Sequence, residues 1–350
     1  MENIVSDRIK KIQKQVRKEK LNGYVITDYI DINYLTNFHF GKGETMLLVT
    51  KTNAFCYARK LYVSEFAKSR EKYCEIFESV DFKKDVLSKI AELKIKKVGF
   101  DFQKVSYLDG KLFIKNKFKE APSFVTELRK IKTKECIKRI RHACKIAHET
   151  YELVRKKIKT GMTELEVASI LENTMRSKGA TKVSFESVVA FGAGAAEPHH
   201  ITGTRKLKNN ENILIDFGCI YKDYCSDITR TWWHGKKPSA EFKKVHALVQ
   251  KSHDECVKKV RIGMTGIEGD KLCRHIIEKA GYGKYFIHPT GHSLGMKIHE
   301  GPYISQIEKE KLKENNVFTI EPGIYLPDKF GVRIEDTVVL TKSGAKILTK

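Results

Sequence analysis

Apolar and basic positions alternate at helical spacing at the start of the chain. Ile9, Ile12 and Val16 fall on one face of the basic run Arg8 to Lys20, which predicts an amphipathic helix with a solvated basic side. The period then changes. Gly23-Tyr24-Val25-Ile26-Thr27, Met46-Leu47-Leu48-Val49 and Ala54-Phe55-Cys56-Tyr57 are short apolar runs, the last two parted by the turn formers Lys51-Thr52-Asn53, and they predict strands. Helical patterns over Leu61 to Arg70 and Asp81 to Leu93 precede a further strand, Lys97-Val98-Gly99-Phe100-Asp101. Strands alternating with helices predict a small α/β domain. No group of His, Asp and Glu gathers within it, so it is expected to be non-catalytic. An irregular stretch from Pro122 to Lys134 then gives way to a long helix through Tyr151. The predicted domains are 1–127 and 128–350.

The second domain contains an internal repeat. Lys156-Lys157-Ile158-Lys159-Thr160-Gly161-Met162-Thr163 returns 102 residues later as Lys258-Lys259-Val260-Arg261-Ile262-Gly263-Met264-Thr265. Each copy leads into a predicted helix, Glu164 to Lys178 and Gly266 to Lys279. Asn212-Ile213-Leu214-Ile215-Asp216-Phe217-Gly218 is answered by Asn316-Val317-Phe318-Thr319-Ile320-Glu321-Pro322-Gly323, and Ser226-Asp227-Ile228-Thr229 by Ile334-Glu335-Asp336-Thr337. The offset drifts from 102 to 105 to 108 residues, as small loop insertions produce. Two related αβ halves follow from three echoes in one order.

Composition bounds the rest. A chain of 350 residues is long for one core, which agrees with two domains. An apolar fraction of 41% is ordinary for a globular protein, and no run approaches the roughly 18 apolar residues of a membrane span. Met1 to Gln15 has no apolar signal core, so a cytoplasmic location is expected, with no membrane partner. The net charge of +23 is spread along the chain, and the basic run Arg129 to Lys145 is interleaved with Ile131, Ile137, Ile140 and Ala143. That pattern reads as a lysine-rich solvated surface, without a specific nucleic-acid partner. The eight cysteines, Cys56, Cys74, Cys136, Cys144, Cys219, Cys225, Cys256 and Cys273, form no C-x-x-C pair and read as reduced, mostly buried thiols.

Chemistry concentrates in the repeat. Asp216 ends an apolar strand, and Asp227 follows 11 residues later across a turn carrying Lys222-Asp223. A hairpin of that length brings both carboxylates to one point. Glu321 and Glu335 repeat the device. If the halves pack about a pseudo-two-fold axis, four carboxylates converge, and buried anions at close quarters need cations. An oxygen-rich set of that kind suits Mn²⁺ or a similar hard ion. His292, within Gly291-His292-Ser293-Leu294-Gly295, is a fifth candidate ligand, its flanking glycines allowing close backbone approach. His288 and His299 crowd the same segment, and His199-His200 follow Pro198.

The motifs Leu214-Ile215-Asp216-Phe217-Gly218, Ser226-Asp227-Ile228-Thr229-Arg230-Thr231, Thr290-Gly291-His292-Ser293-Leu294-Gly295, Ile298-His299-Glu300-Gly301-Pro302, Ile320-Glu321-Pro322-Gly323 and Gly331-Val332-Arg333-Ile334-Glu335-Asp336-Thr337 share ligand order and spacing with one family. With them the second domain resembles the pita-bread metallopeptidases, and the whole chain resembles their aminopeptidase P and prolidase branch. The resemblance implies an α+β fold: a catalytic domain of two pseudo-symmetric αβ halves behind a smaller α/β creatinase-type N-terminal domain. It implies two divalent ions, Mn²⁺ foremost with Co²⁺ or Zn²⁺ as alternatives. Asp216 would bind one ion, His292 and Glu321 the other, and Asp227 and Glu335 both. Glu321 would also shuttle a proton during attack by a metal-activated water. His199 and His299 match substrate-binding histidines that steady the tetrahedral intermediate, Arg333 an arginine beside the metal carboxylates, and His288 a histidine of the prolyl pocket. The implied substrate is a peptide with proline at its second position, and a homodimer is expected. Ser293 stands where many relatives have Gly, with little consequence expected, and His234 after Trp232-Trp233 reads as a loop residue.

Several activities share these features. The leading expectation is an Xaa-Pro aminopeptidase, and the alternative is a prolidase confined to Xaa-Pro dipeptides. Methionine aminopeptidase is disfavoured by the N-terminal domain and Arg333. A metal-free binding module or a creatinase-like hydrolase is disfavoured by five intact candidate ligands.

Overall fold

Ile9, Ile12 and Val16 are buried on the inner face of helix α1 (Ile4–Lys18), while Lys10, Lys11 and Lys14 are exposed. Each such apolar side chain contributes about 1.5–3 kcal/mol on burial. A computed structural model of the chain describes residues 4–68 and 74–350, and its contacts divide it into two units, Met1–Arg129 and Lys130–Lys350.

The first unit continues with β1 (Gly23–Ile26), α2 (Tyr29–Thr36), β2 (Thr45–Thr50), β3 (Ala54–Ala58), α3 (Lys60–Lys68), β4 (Glu75–Glu78), α4 (Phe82–Glu92), β5 (Val98–Asp101), α5 (Tyr107–Lys115) and β6 (Lys119–Ala121). Its six strands form one sheet in the order β4-β3-β2-β1-β5-β6. β1, β5 and β6 run parallel, whereas β1, β2 and β3 form an antiparallel meander. The end of the predicted helix Leu61 to Arg70 lies outside the described residues. The supposedly irregular stretch before the long helix contains α6 (Phe124–Lys130), whose Phe124 and Val125 are buried; a seven-residue helix is too short for its period to show in the sequence.

The second unit opens with α7 (Lys134–Arg155), which runs four residues past the predicted end, and α8 (Glu164–Ser177). Strands β7 (Lys182–Val183), β8 (Val188–Phe191), β9 (Glu211–Phe217), β10 (Cys219–Tyr221), β11 (Tyr224–Cys225) and β12 (Ile228–His234) complete the first half. The second half repeats the plan with α9 (Ala240–Lys259), α10 (Gly266–Lys279), β13 (Gly291–Ser293), β14 (Glu300–Ile304), β15 (Val317–Ile320), β16 (Gly323–Leu326), β17 (Phe330–Arg333), β18 (Asp336–Thr341) and β19 (Gly344–Ile347). The sheets carrying the two halves are ordered β12-β9-β8 and β14-β13-β15-β18-β19. No described helix is long and apolar enough to cross a membrane.

The repeat recurs in the hydrogen bonds. Thr163 caps α8 and Thr265 caps α10, each in a capping box with the glutamate three residues on, Glu166 and Glu268. Gly161 N donates to Leu207 O and Gly263 N to Leu312 O, both at 2.8 Å. Both glycines adopt positive φ, +93° and +90°, where a side chain is strained.

Strand pleat decides which side chains reach the interior site. On β9, Ile213, Ile215 and Phe217 enter the core of the first half, so Asp216 projects from the opposite face. On β15, Phe318 and Ile320 enter the core of the second half, which leaves Thr319 and the following Glu321 opposite. The simple hairpin expected between Asp216 and Asp227 is more elaborate: β10 and β11 form their own hairpin there, turning through Lys222 and Asp223 at φ +46° and +68°. The return strand β12 then pairs with β9 along seven residues. His234 is no loop residue; it ends β12, and its Nε2 lies 2.9 Å from Thr160 Oγ1. All eight cysteines are free and buried.

Candidate active site

Asp216, Asp227, His292, Glu321, Glu335, His199, His299, His288 and Arg333 all line one cavity of about 820 Å³ in the second unit. Ligand atoms of Asp216, Asp227 and Glu335 lie within 4.8 Å of one another. His292 and Glu321 approach from the second half: His292 Nε2 is 3.5 Å from Asp227 Oδ2 and 3.4 Å from Glu321 Oε1.

Hydrogen bonds hold several of these side chains in place. β13 presses against β15 because Gly291 lacks a Cβ, which would strike the Thr319 carbonyl oxygen. The adjacent His292 N–H donates to Thr319 Oγ1 at 3.1 Å, and Thr319 Oγ1 donates to Glu321 Oε1 at 2.9 Å. Thr229 Oγ1 donates to Glu335 Oε2 at 2.6 Å, and Thr337 Oγ1 donates to Asp227 O at 2.8 Å. These two threonines occupy equivalent places in the repeat, so each half braces a carboxylate residue of the other. Arg333 is buried and spends its fork on Asp216 Oδ2 at 2.6 Å, Tyr325 Oη at 2.8 Å and Thr229 Oγ1 at 3.1 Å. The Tyr325 hydroxyl lies 2.8 Å from His288 Nε2, while His288 Nδ1 lies 2.8 Å from Pro289 O. The Pro289 carbonyl can only accept, so Nδ1 carries the proton and Nε2 accepts from Tyr325. Behind them Asp270 receives Arg274 Nε at 2.6 Å and Thr290 N at 3.0 Å. Arg274 donates in turn to the carbonyls of Phe286 and His288.

The protein's own groups make this cavity unfavourable to anions. Burial, then the charges of Glu335 and Asp216, hold the Asp227 carboxyl well above the usual range. Burial, then Glu321 and Asp216, do the same to Glu335. Glu321 is pushed up to about 8, chiefly by burial. His292 is pushed down to about 4 by burial and by His299, and His288 to about 3 by burial and Arg333. Burial foremost, with His199 nearby, also lowers His299. His292 Nδ1 faces the Ser293 carbonyl at 3.2 Å, so the neutral ring turns the lone pair of Nε2 toward Asp227 and Glu321. A lone pair facing two carboxylates is repulsive unless a cation lies among them. Asp216 Oδ1 is likewise buried without a hydrogen-bond partner. An orphaned carboxylate oxygen, a correctly turned imidazole and an oxygen-rich donor set fit divalent cations.

Tyr325, Thr229, Thr319 and the Asp270–Arg274 pair are supports that the sequence reading missed. Tyr325 lies in an apolar strand and reads as core. Thr229 carried a signal, since it and Thr337 close matching repeat motifs.

Known proteins share this architecture. Residues 138–342 match the profile of metallopeptidase family M24, and residues 8–131 that of the creatinase/prolidase N-terminal domain. The chain is 35% identical over 347 residues to an Xaa-Pro dipeptidase of Pyrococcus furiosus, covering 99% of this chain and 98% of that one. A solved Xaa-Pro dipeptidase from Bacillus anthracis superposes with a TM-score of 0.94 at 32% identity, covering 99% of this chain and 98% of the other. An X-Pro aminopeptidase from Thermotoga maritima superposes with a TM-score of 0.87 at 33% identity, covering 95% and 97%.

Proposed function

The chain belongs to metallopeptidase family M24, in its prolidase and aminopeptidase P branch, and on that premise we propose that it hydrolyses Xaa-Pro dipeptides. The observation that carries a peptidase of this kind is the single cavity holding the acidic cluster beside His199, His288, His299 and Arg333. The leading expectation from sequence, an aminopeptidase acting on longer peptides, is less well supported than its alternative. Relatives named as Xaa-Pro dipeptidases match nearly the full length of both chains and favour the dipeptide. The Thermotoga likeness keeps the aminopeptidase as the second reading.

Two divalent ions, Mn²⁺ first and Co²⁺ or Zn²⁺ as alternatives, would be held by Asp216, Asp227, His292, Glu321 and Glu335. When bound they supply Lewis acidity to the scissile carbonyl and an acidified water. Glu321 takes the proton of the attacking water and returns it to the departing prolyl nitrogen. An Xaa-Pro bond is a tertiary amide without the N–H that most proteases grip. His199 and His299 therefore hold the substrate by its oxygens and stabilise the charge that develops on the carbonyl. His288, turned by Tyr325, forms part of the wall around the proline ring. Arg333 keeps Asp216 oriented.

Steady-state rates on Ala-Pro and Ala-Pro-Pro with Mn²⁺ test the reading. Efficient cleavage of Ala-Pro with little cleavage of Ala-Pro-Pro is expected. Equal or better cleavage of the tripeptide makes the protein an aminopeptidase, and cleavage of neither removes the proline assignment.

A further inference from the structure

His199 lines the cavity, yet its ring makes no hydrogen bond to any described residue. Its aim is therefore set by the backbone on either side. The next residue, His200, lines the same cavity, and its Nε2 lies 2.9 Å from Glu164 Oε2. A carboxylate can only accept, so Nε2 carries the proton and donates it. Glu164 opens helix α8 with its side chain 1% exposed, deeply buried for a carboxylate. Phe191 N donates to its Oε1 at 3.0 Å, and Gly203 N donates to its Oε2 at 3.0 Å. One carboxylate thus ties the start of a helix to both ends of the segment that carries His199. Gly194 shapes the other side of the His200 ring, since a Cβ there would lie 2.9 Å from His200 Cε1. Nothing in this arrangement touches the acidic cluster, and α8 would be capped without it, because Thr163 and Glu166 form the capping box.

We propose that Glu164 and His200 are a positioning pair for His199, fixing the angle at which that histidine enters the cavity. The inference rests on the reading of His199 as a substrate contact. A pure stability role predicts that loss of the pair lowers the melting temperature alone. A positioning role predicts a fall in turnover through His199, because a misplacement of about 1 Å costs up to about 10²-fold.

The test is a double-mutant cycle on the metal-loaded protein with Ala-Pro as substrate, using His199→Ala, His200→Ala and both together. His200→Ala is expected to lower kcat about tenfold with KM and metal content unchanged, and the double variant to be no slower than His199→Ala. His200→Gln, which can still present an N–H to Glu164, is expected to recover most of the loss. Gly194→Ala, which displaces the ring without altering the pair chemically, is expected to imitate His200→Ala. Wild-type kcat in His200→Ala, multiplicative losses in the double variant, or no recovery with glutamine overturns the proposal. Wild-type kcat in His199→Ala instead overturns the reading of His199 on which it rests.

Discussion

Arg333 donates to Asp216 at 2.6 Å, and that bond engages one carboxylate oxygen while the other is buried without a partner. The guanidinium orients the acid and leaves half of it for a ligand. Against the effect of burial, the facing Tyr325, Asp216 and Glu321 hold Arg333 protonated beyond an arginine's ordinary range. A fixed charge and a fixed fork are both in use here.

Arg333→Lys tests that arrangement. A lysine keeps the charge but has one point of donation, so it cannot reach Asp216, Tyr325 and Thr229 together. The expected outcome is a loss of about 10²-fold in kcat/KM with a lower melting temperature. Steady-state kinetics on Ala-Pro check it, and retention of more than half the activity would show that charge alone suffices.

Removal of metal gives a second prediction whose sign depends on the state of the protein. Asp227 is buried beside Glu335, Asp216 and Glu321, so without cations the cluster is self-repelling. Chelation is expected to lower the melting temperature. Asp227→Asn puts a neutral amide, at nearly constant shape, in place of an acid whose ionisation burial and its acidic neighbours oppose, so in the chelated protein it is expected to raise the melting temperature by a few degrees, about 1 kcal/mol. In the metal-loaded protein the same variant is expected to bind less metal. Thermal denaturation with and without chelator, together with elemental analysis, decides; full metal binding by the variant would remove Asp227 from the ligand set.

These sites were legible in the sequence to different degrees, for physical reasons. Asp216, Asp227, Glu321 and Glu335 could be read because each follows or precedes an apolar run whose alternation leaves only one face for them, and because the device occurs twice. The paired glycines Gly161 and Gly263 marked the repeat for a backbone reason. Tyr325 could not be read, since the run Gly323-Ile324-Tyr325-Leu326 looks like any buried strand and only tertiary packing gives its hydroxyl two partners. Glu164 was hidden similarly: a glutamate in the first turn of a helix is ordinarily a solvated dipole partner. The length of the substrate is set by surfaces that no local pattern encodes, and there the sequence favoured the weaker reading.

The thiols offer a prediction away from the cavity. Burial pushes Cys219 up to about 11, against a hydrogen bond with Ser226. At pH 8 about one Cys219 in 10³ is then a thiolate, the only reactive form. Alkylation at pH 8 is expected to leave Cys219 unlabelled in the native protein and to label it after denaturation. Mass spectrometry of the peptides checks this, and rapid native labelling would contradict the packing around β10.

His299 separates substrate chemistry from metal binding. Its ring lies 4.3 Å from that of His292 in an edge-to-face arrangement, so the two are close neighbours in the cavity. They differ in what they face. His292 turns Nε2 toward Asp227 and Glu321, whereas His299 is lowered by burial and by His199, the other candidate substrate contact. His292→Ala should therefore remove metal together with activity. His299→Ala should keep the metal and lose about 10²-fold in kcat, the scale of one donor to a developing oxyanion. KM should change less than kcat, because that contact strengthens as charge develops on the substrate oxygen. Metal content and kinetics measured on the same preparations distinguish the two. A His299→Ala protein with normal turnover and depleted metal would exchange the roles, making His299 the ligand and His292 its neighbour.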